Sequence, residues 1–273
     1  MKIFITGSTG FVGRNLVEYY KDHEVFEHKR YMDLGAKLEY FKPDLIINCA
    51  AEIYDPEEMW MPNVLWTQEC LEFVKGNPNT RMIQIGSSSE YGPMPRASKE
   101  TDRINPVDMY QATKGAATLL SQGYARQFGL DILIARPYSV YGKYEKPHRL
   151  FPRLWRAFYK NEEMTLFQGF HDFIYIDDFV RGIDTLAKAS DAPRGDIVNF
   201  GSGEQHSNFV VYEYFKYATG LPGTSVKVEE RMAKSFESAT WVCDIGYAKK
   251  AYDFQTKYSL QQGIKEFVTT AQY

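Results

Sequence analysis

Cysteine is scarce in this chain of 273 residues: Cys49, Cys70 and Cys243 are its three. An odd number with no Cys-x-x-Cys pair gives neither a disulfide framework nor a cysteine-based zinc site, and it fits a reducing, cytoplasmic setting. No apolar run reaches membrane-spanning length, and the one in Met1-Lys2-Ile3-Phe4-Ile5-Thr6-Gly7 ends too soon for a secretory signal. Neither sign of charge dominates, because the formal net charge is −3; no nucleic-acid or membrane partner is therefore expected. Histidine is also sparse, and His148 and His171 have no third ligand at metal spacing, so no metal is expected. Internal repeats, low-complexity tracts and Gly/Ser linkers are absent, so one continuous body is expected.

What the chain does have is alternation. Short apolar, β-branched runs at Lys2–Thr6, Asp44–Asn48, Arg81–Gly86, Asp131–Arg136 and Asp196–Phe200 are interleaved with helical patterns such as Arg14–Tyr20, Val64–Val74 and Tyr110–Phe128. Repeated βαβ units of this kind give an α/β fold with a doubly wound parallel sheet. After Arg136 the rhythm breaks into a Pro- and Gly-punctuated segment, Pro137 to Pro152, followed by a helix-like run to Lys160. The expected division is a core of residues 1–142, to which 173–203 return, and a smaller mixed α/β lobe of 143–172 and 204–273 that binds substrate.

Gly7, Gly10 and Gly13 form Gly-x-x-Gly-x-x-Gly between the first strand and the first helical pattern. Glycine there allows a tight turn and close backbone approach to a pyrophosphate, which the free N–H groups of the helix N-terminus would receive. The second strand, near Val25–Glu27, runs into His28-Lys29-Arg30 where many NAD-binding chains place an acid on the ribose. A basic cluster there suits the additional phosphate of NADP, so the reading favours NADP(H) over NAD(H), with a solvated turn as the alternative. Asp33 and Leu34 would meet the adenine, and the small residues Cys49, Ala50 and Ala51 would let the cofactor lie against the sheet edge. Tight helix packing is the competing explanation for the alanines.

Tyr110 and Lys114 stand four residues apart, on one face of a helix. A phenol of pKa about 10 is a poor base at neutral pH, and a neighbouring cation favours its phenolate. Ser87 opens the run Ser87-Ser88-Ser89-Glu90 at the carboxyl end of a strand, where it would hydrogen-bond the reacting substrate oxygen. Glu90 would either reach the substrate or, more in keeping with such loops, cap the next turn. Taken alone, a Tyr-x-x-x-Lys pair is more often helix surface than active site. Pro56, Trp60 and Trp66 read as packing, with the loop near Tyr54–Met61 lining a pocket as the alternative.

Together these segments resemble the extended short-chain dehydrogenase/reductases of the nucleotide-sugar epimerase/dehydratase group. The resemblance runs from Met1 to about Gly203. It rests on Thr6-Gly7-Ser8-Thr9-Gly10-Phe11-Val12-Gly13, the serine run, Tyr110 with Lys114, Arg136-Pro137-Tyr138-Ser139-Val140-Tyr141-Gly142, and Phe173-Ile174-Tyr175-Ile176-Asp177-Asp178. It implies a Rossmann core and a homodimer formed through the Tyr110 helix. It also implies Tyr110 as acid/base, Lys114 on the ribose and tuning Tyr110, and Ser87 as their partner. Thr9, Phe11, Val12 and Pro137 would join the cofactor contacts.

Family members that eliminate water carry an acidic pair where this chain has Ser88 and Ser89, and epimerase/reductases that invert neighbouring carbons carry a cysteine near Ser89. What remains is hydride transfer at C4 of a nucleotide-diphosphate sugar. The stretch Ser87–Glu145 most resembles 4-ketoreductases, which places reduction ahead of 4-epimerisation, with a non-catalytic dinucleotide-binding regulatory protein as a third reading. By the same resemblance Arg149 would face the diphosphate, Ser139 would contact the sugar beside Ser88 and Ser89, and His171 stands where relatives have an arginine on the diphosphate.

Overall fold

The computed structural model describes residues 1–232, 240–271 and 273; the part of the expected lobe at 233–239 and 272 lies outside the described residues. The first half of the chain alternates strand and helix. β1 (Lys2–Thr6), α1 (Phe11–Tyr19), β2 (Glu24–Glu27), α2 (Leu34–Phe41) and β3 (Leu45–Asn48) lead through a π-helical turn at Met61–Leu65 into α3 (Trp66–Gly76). Next come β4 (Arg81–Ile85), a 3-10 turn at Ser88–Tyr91, α4 (Met109–Phe128) and β5 (Ile132–Pro137). The later part holds β6 (Ser139–Tyr141), α5 (Leu150–Lys160), β7 (Met164–Gln168), β8 (Phe170–Tyr175), α6 (Ile176–Lys188) and β9 (Ile197–Phe200). It closes with β10 (Gln205–Ser207), α7 (Asn208–Thr219), β11 (Val226–Met232), α8 (Gly246–Tyr252) and α9 (Leu260–Thr270).

Six strands form a wholly parallel sheet in the order β2-β1-β3-β4-β5-β9. The two-residue period of the strand runs explains why both faces are covered. Ile3, Ile5, Leu45, Ile47, Ile83, Ile85, Leu133 and Ala135 enter one apolar core, which continues under α5, α7 and α9. Phe4, Ile46, Met82 and Ile132 point the other way, into a core with Leu34, Leu38, Leu71 and Val74 from α2 and α3. This is the expected doubly wound α/β sheet of Rossmann type. Beside it lie a three-stranded sheet, β10-β8-β6, and a parallel pair, β11-β7.

The chain leaves β1 toward β2 on one side and later places β3 on the other, so a crevice opens at the carboxyl ends of β1 and β3, where ligands bind in sheets of this class. Polar residues end these apolar strands, and they satisfy one another. The Thr6 hydroxyl donates to Asn48 Oδ1 at 2.5 Å, Asn48 Nδ2 donates to Gln84 Oε1 at 2.7 Å, and the Ala50 N–H donates to Thr6 Oγ1 at 3.0 Å. The ladder fixes the backbone that floors the crevice.

Candidate active site

The crevice is a cavity of about 600 Å³, within the usual range for small-molecule sites. The glycine loop forms its floor. Gly7 has φ +61°, a left-handed value that favours glycine, and a Cβ at Gly13 would stand 2.2 Å from the Gly7 carbonyl oxygen. Gly10 precedes α1 without a side-chain cap, leaving the first helical N–H groups open to an anion. Thr9, Phe11 and Val12 line the same end, with Cys49, Ala50 and Ala51 across from them. A loop this closely packed against its own backbone, beside small residues and open amides, fits the diphosphate of a dinucleotide.

Asp33 and Leu34, expected at the adenine, stand at the start of α2 and do not line this cavity. Asp33 is exposed and caps α2, its Oδ1 accepting the Ala36 N–H at 2.8 Å, while Leu34 is buried in the second core. Helix-start chemistry claimed both. The basic cluster also divides. His28 is fully buried, its ring edge-on to Trp66 with centroids 5.6 Å apart, and burial lowers its pKa. Arg30 does line the cavity, but its guanidinium is held by Glu58 at 2.8 Å and lies 4.0 Å from Glu52.

At the other end, α4 begins at an Asp108 cap whose Oδ1 accepts the Gln111 N–H at 2.8 Å. The cap sets Tyr110 in the first turn and Lys114 one turn on, and both side chains line the cavity. Lys114 is buried and donates to the Ile85 carbonyl. Burial lowers its pKa, and Glu90 works against that shift. The Tyr110 phenol is hydrogen-bonded to Ser87, yet its pKa is raised, first by burial and further by Glu90, with the Ser87 bond and Arg149 acting in opposition. The expected depression of the phenol by Lys114 is thus not present in this geometry, where the ammonium is turned to Ile85.

Ser87 caps the 3-10 turn through a reciprocal box. Ser87 Oγ accepts the Ser89 N–H at 3.2 Å, and Glu90 Oε1 accepts the Ser87 N–H at 2.7 Å. Glu90 therefore closes the turn and is buried outside the cavity lining, its other oxygen 2.8 Å from the Arg136 guanidinium. Ser87 Oγ and Ser89 Oγ are 2.7 Å apart. Ser88, Pro137, Ser139, Arg149 and His171 complete the expected set at this end.

His171 lies 3.4 Å from Ser139 Oγ, and burial pushes its pKa down to about 4. Some of the lining has no local signal in the sequence. The Trp241 N–H donates to Gln205 Oε1 at 2.6 Å, and nearby the Asp172 carboxylate accepts the Cys243, Ser202 and Gly203 N–H groups. Lys146 lies 5.1 Å from the centre of the Tyr54 ring, and His148 Nε2 lies 2.5 Å from the Tyr54 hydroxyl. Trp66 lines the cavity as well as packing on His28, whereas Trp60 is exposed and packs little.

A model of the NAD dependent epimerase/dehydratase family matches residues 3–201. Over 97% of its length the chain is 27% identical to a Bacillus subtilis protein named an uncharacterized UDP-glucose epimerase, covering 96% of it. It is 30% identical to a UDP-glucuronate 4-epimerase of Thermodesulfobacterium geofontis, over 76% of this chain and 64% of that one. Among solved structures, a dTDP-glucose 4,6-dehydratase from Bacillus anthracis in complex with NAD has a TM-score of 0.87 at 20% identity, covering 98% of this chain and 96% of that one, which shows the shared fold. With a glycine loop that fits a dinucleotide and a Ser–Tyr–Lys group beside it, the chain belongs to the NAD-dependent epimerase/dehydratase family, enzymes of the extended short-chain dehydrogenase/reductase class that act on nucleotide sugars.

Proposed function

We propose that this protein is a nucleotide-sugar 4-epimerase, with hydride transfer at C4 and no loss of water. The observation that carries the reading is the scarcity of proton acceptors beside Tyr110. Among the described residues that line the cavity, Glu52 is the one acid, and its Oε1 already accepts the Ile53, Tyr54 and Asp55 N–H groups. Ser88 and Ser89 offer hydroxyls, and His171 is a weak base at a pKa of about 4. Abstraction at C3 or C5, which dehydration and multiple inversion require, has no group to perform it; removal of the C4 hydroxyl proton needs Tyr110 alone.

The dinucleotide, when bound, supplies the hydride acceptor and donor. Tyr110 takes the hydroxyl proton and returns it after the sugar has turned over, Ser87 holds the oxygen by a hydrogen bond, and Lys114 orients the ribose. Residues 143–172 and 204–273 carry the nucleotide half, with Arg149 on the diphosphate, and the protein works in the cytoplasm as a homodimer through α4. The test is incubation with UDP-glucose, UDP-glucuronate and dTDP-glucose in the presence of NAD. A C4 epimer should accumulate without net change in reduced cofactor, and failure with all three would remove the reading. The second reading, 4-ketoreductase, is favoured by the resemblance of Ser87–Glu145 and predicts stoichiometric loss of reduced cofactor on a 4-keto nucleotide sugar instead.

The same reading takes NAD rather than NADP as the cofactor. Glu58 and Glu52 hold Arg30 and add negative charge where a ribose phosphate would sit. Both partners of the Arg30–Glu58 pair are more than half exposed, so the effect is modest. Glu58→Gln should raise NADP affinity relative to NAD by about threefold to fivefold. A titration in which the unaltered protein already prefers NADP would reverse the assignment.

A further inference from the structure

One buried charge at the cavity wall has no part in this chemistry. Glu145 is 2% exposed and its Oε1 accepts the Arg149 Nε–H at 2.9 Å, while the Arg149 side chain is 41% exposed and lines the cavity. The second carboxyl oxygen, Oε2, is buried without a hydrogen-bond partner. The loop that holds Glu145 is pinned at both ends. Asn15 Nδ2 on α1 donates to the Lys143 carbonyl at 2.8 Å, and the Tyr273 hydroxyl donates to the Glu145 carbonyl at 3.0 Å. These bonds hold the loop backbone, and burial together with the Arg149 bond keeps the carboxyl beside the guanidinium.

We propose that Glu145 is a positioning residue for Arg149 and takes up a proton at Oε2 when the diphosphate of a nucleotide sugar binds, so that affinity for the anion falls as pH rises. The inference rests on the reading that Arg149 faces the diphosphate. A carboxylate and a diphosphate on opposite edges of one guanidinium repel, and low-dielectric surroundings keep that repulsion strong. Adding a solvent proton to Oε2 removes the repulsion and keeps the Arg149 charge whole for the ligand. Burial pushes Glu145 up to about 7, with Arg149 opposing, so the switch falls near neutral pH.

The other titratable groups facing the carboxyl are Tyr141 on β6 and Tyr273 at the carboxyl terminus. Burial raises both phenols, which stay neutral in this range. On the cavity side of Arg149 stand Tyr54 and His171, and Lys146 and His148 flank the loop; both histidines are pushed down by burial. The sign follows: below about 7 Glu145 is neutral and the site is more cationic, whereas above it the carboxylate offsets Arg149 and opposes the ligand.

The test is calorimetric binding of UDP-glucose and dTDP-glucose to the NAD-loaded protein between about pH 6 and pH 8, a range in which the diphosphate diesters keep a constant charge. Kd should rise about fivefold across the range, as one unit of upward pKa displacement on binding gives between these two pH values. At neutral pH, buffers of different ionisation enthalpy should reveal net proton uptake on binding. Glu145→Gln should flatten the profile and abolish the uptake, and Arg149→Met should weaken binding at every pH. A flat profile in the unaltered protein, or a Glu145→Gln variant that keeps the slope, overturns the proposal while the Arg149 reading stands. Undiminished binding by Arg149→Met, or binding of NAD but of neither nucleotide sugar, removes that reading and the proposal with it.

Discussion

Tyr110→Phe should lower kcat by about a thousandfold or more, within the range that a positioned acid–base group contributes, and leave NAD affinity changed by less than about twofold. The substitution removes one oxygen and its hydrogen bond to Ser87 and leaves the ring on the first turn of α4. The glycine loop, Lys114 and the Ala50–Ala51 edge are untouched, so the dinucleotide keeps its seat. The unaltered enzyme offers a second readout. Burial, reinforced by Glu90, raises the phenol, so the deprotonated fraction grows as pH increases and kcat should climb with pH until another step limits it. That climb should vanish in the variant. Single-turnover measurements across the pH range separate the two effects. A variant that retains more than a tenth of the activity would move the proton chemistry to Ser87 or to a group outside the cavity.

The parts of this molecule that follow local rules were legible in its sequence. Continuous apolar runs in β1, β3, β4 and β5 specify two buried faces, and the spacing of Gly7, Gly10 and Gly13 between strand and helix specifies the turn. The order of glycine loop, Ser87 and Tyr110/Lys114 located one end of the cavity relative to the other, because each lies at the carboxyl end of a strand or the start of the helix that follows. Asp33 stands before an apolar run, a pattern that also starts a helix, and its Oδ1 caps α2. Arg30 was visible as a cation, but Glu58, which engages it, comes from a separate loop. Trp241 and Lys146 reach the cavity through tertiary packing alone. The raised phenol of Tyr110 has the same origin: which charges face it depends on where Lys114 and Glu90 point, and residue spacing does not contain that direction.

Arg136 belongs to the Arg-Pro-Tyr-Ser segment that carries the family resemblance, and the structure gives it a mechanical role with a large expected effect. Its guanidinium is 2% exposed and pairs with the wholly buried Glu90 at 2.8 Å, while lying 4.6 Å above the centre of the Tyr91 ring. Glu90 in turn holds the Ser87 N–H, so the ion pair fixes Ser87 from below. Arg136→Met would leave a carboxylate buried without its counter-charge and should destabilise the fold by about 3–5 kcal/mol at neutral pH, read from denaturant unfolding. The loss should depend on pH. Burial already raises Glu90, and Arg136 is the chief opposing influence; without it the folded variant binds a proton that the unfolded chain releases. Stability of the variant therefore falls as pH rises above the ordinary carboxyl range, and the deficit shrinks as pH is lowered from neutral. Adding Glu90→Gln should recover most of it, because the amide oxygen can still accept the Ser87 N–H and no charge remains buried. Recovery of stability together with activity would show that Ser87 needs an acceptor beneath it rather than a charge. A single variant that loses less than about 1 kcal/mol, or loses the same amount at every pH, would mean that water or a side-chain shift rescues Glu90 and that the pair does not hold the serine turn.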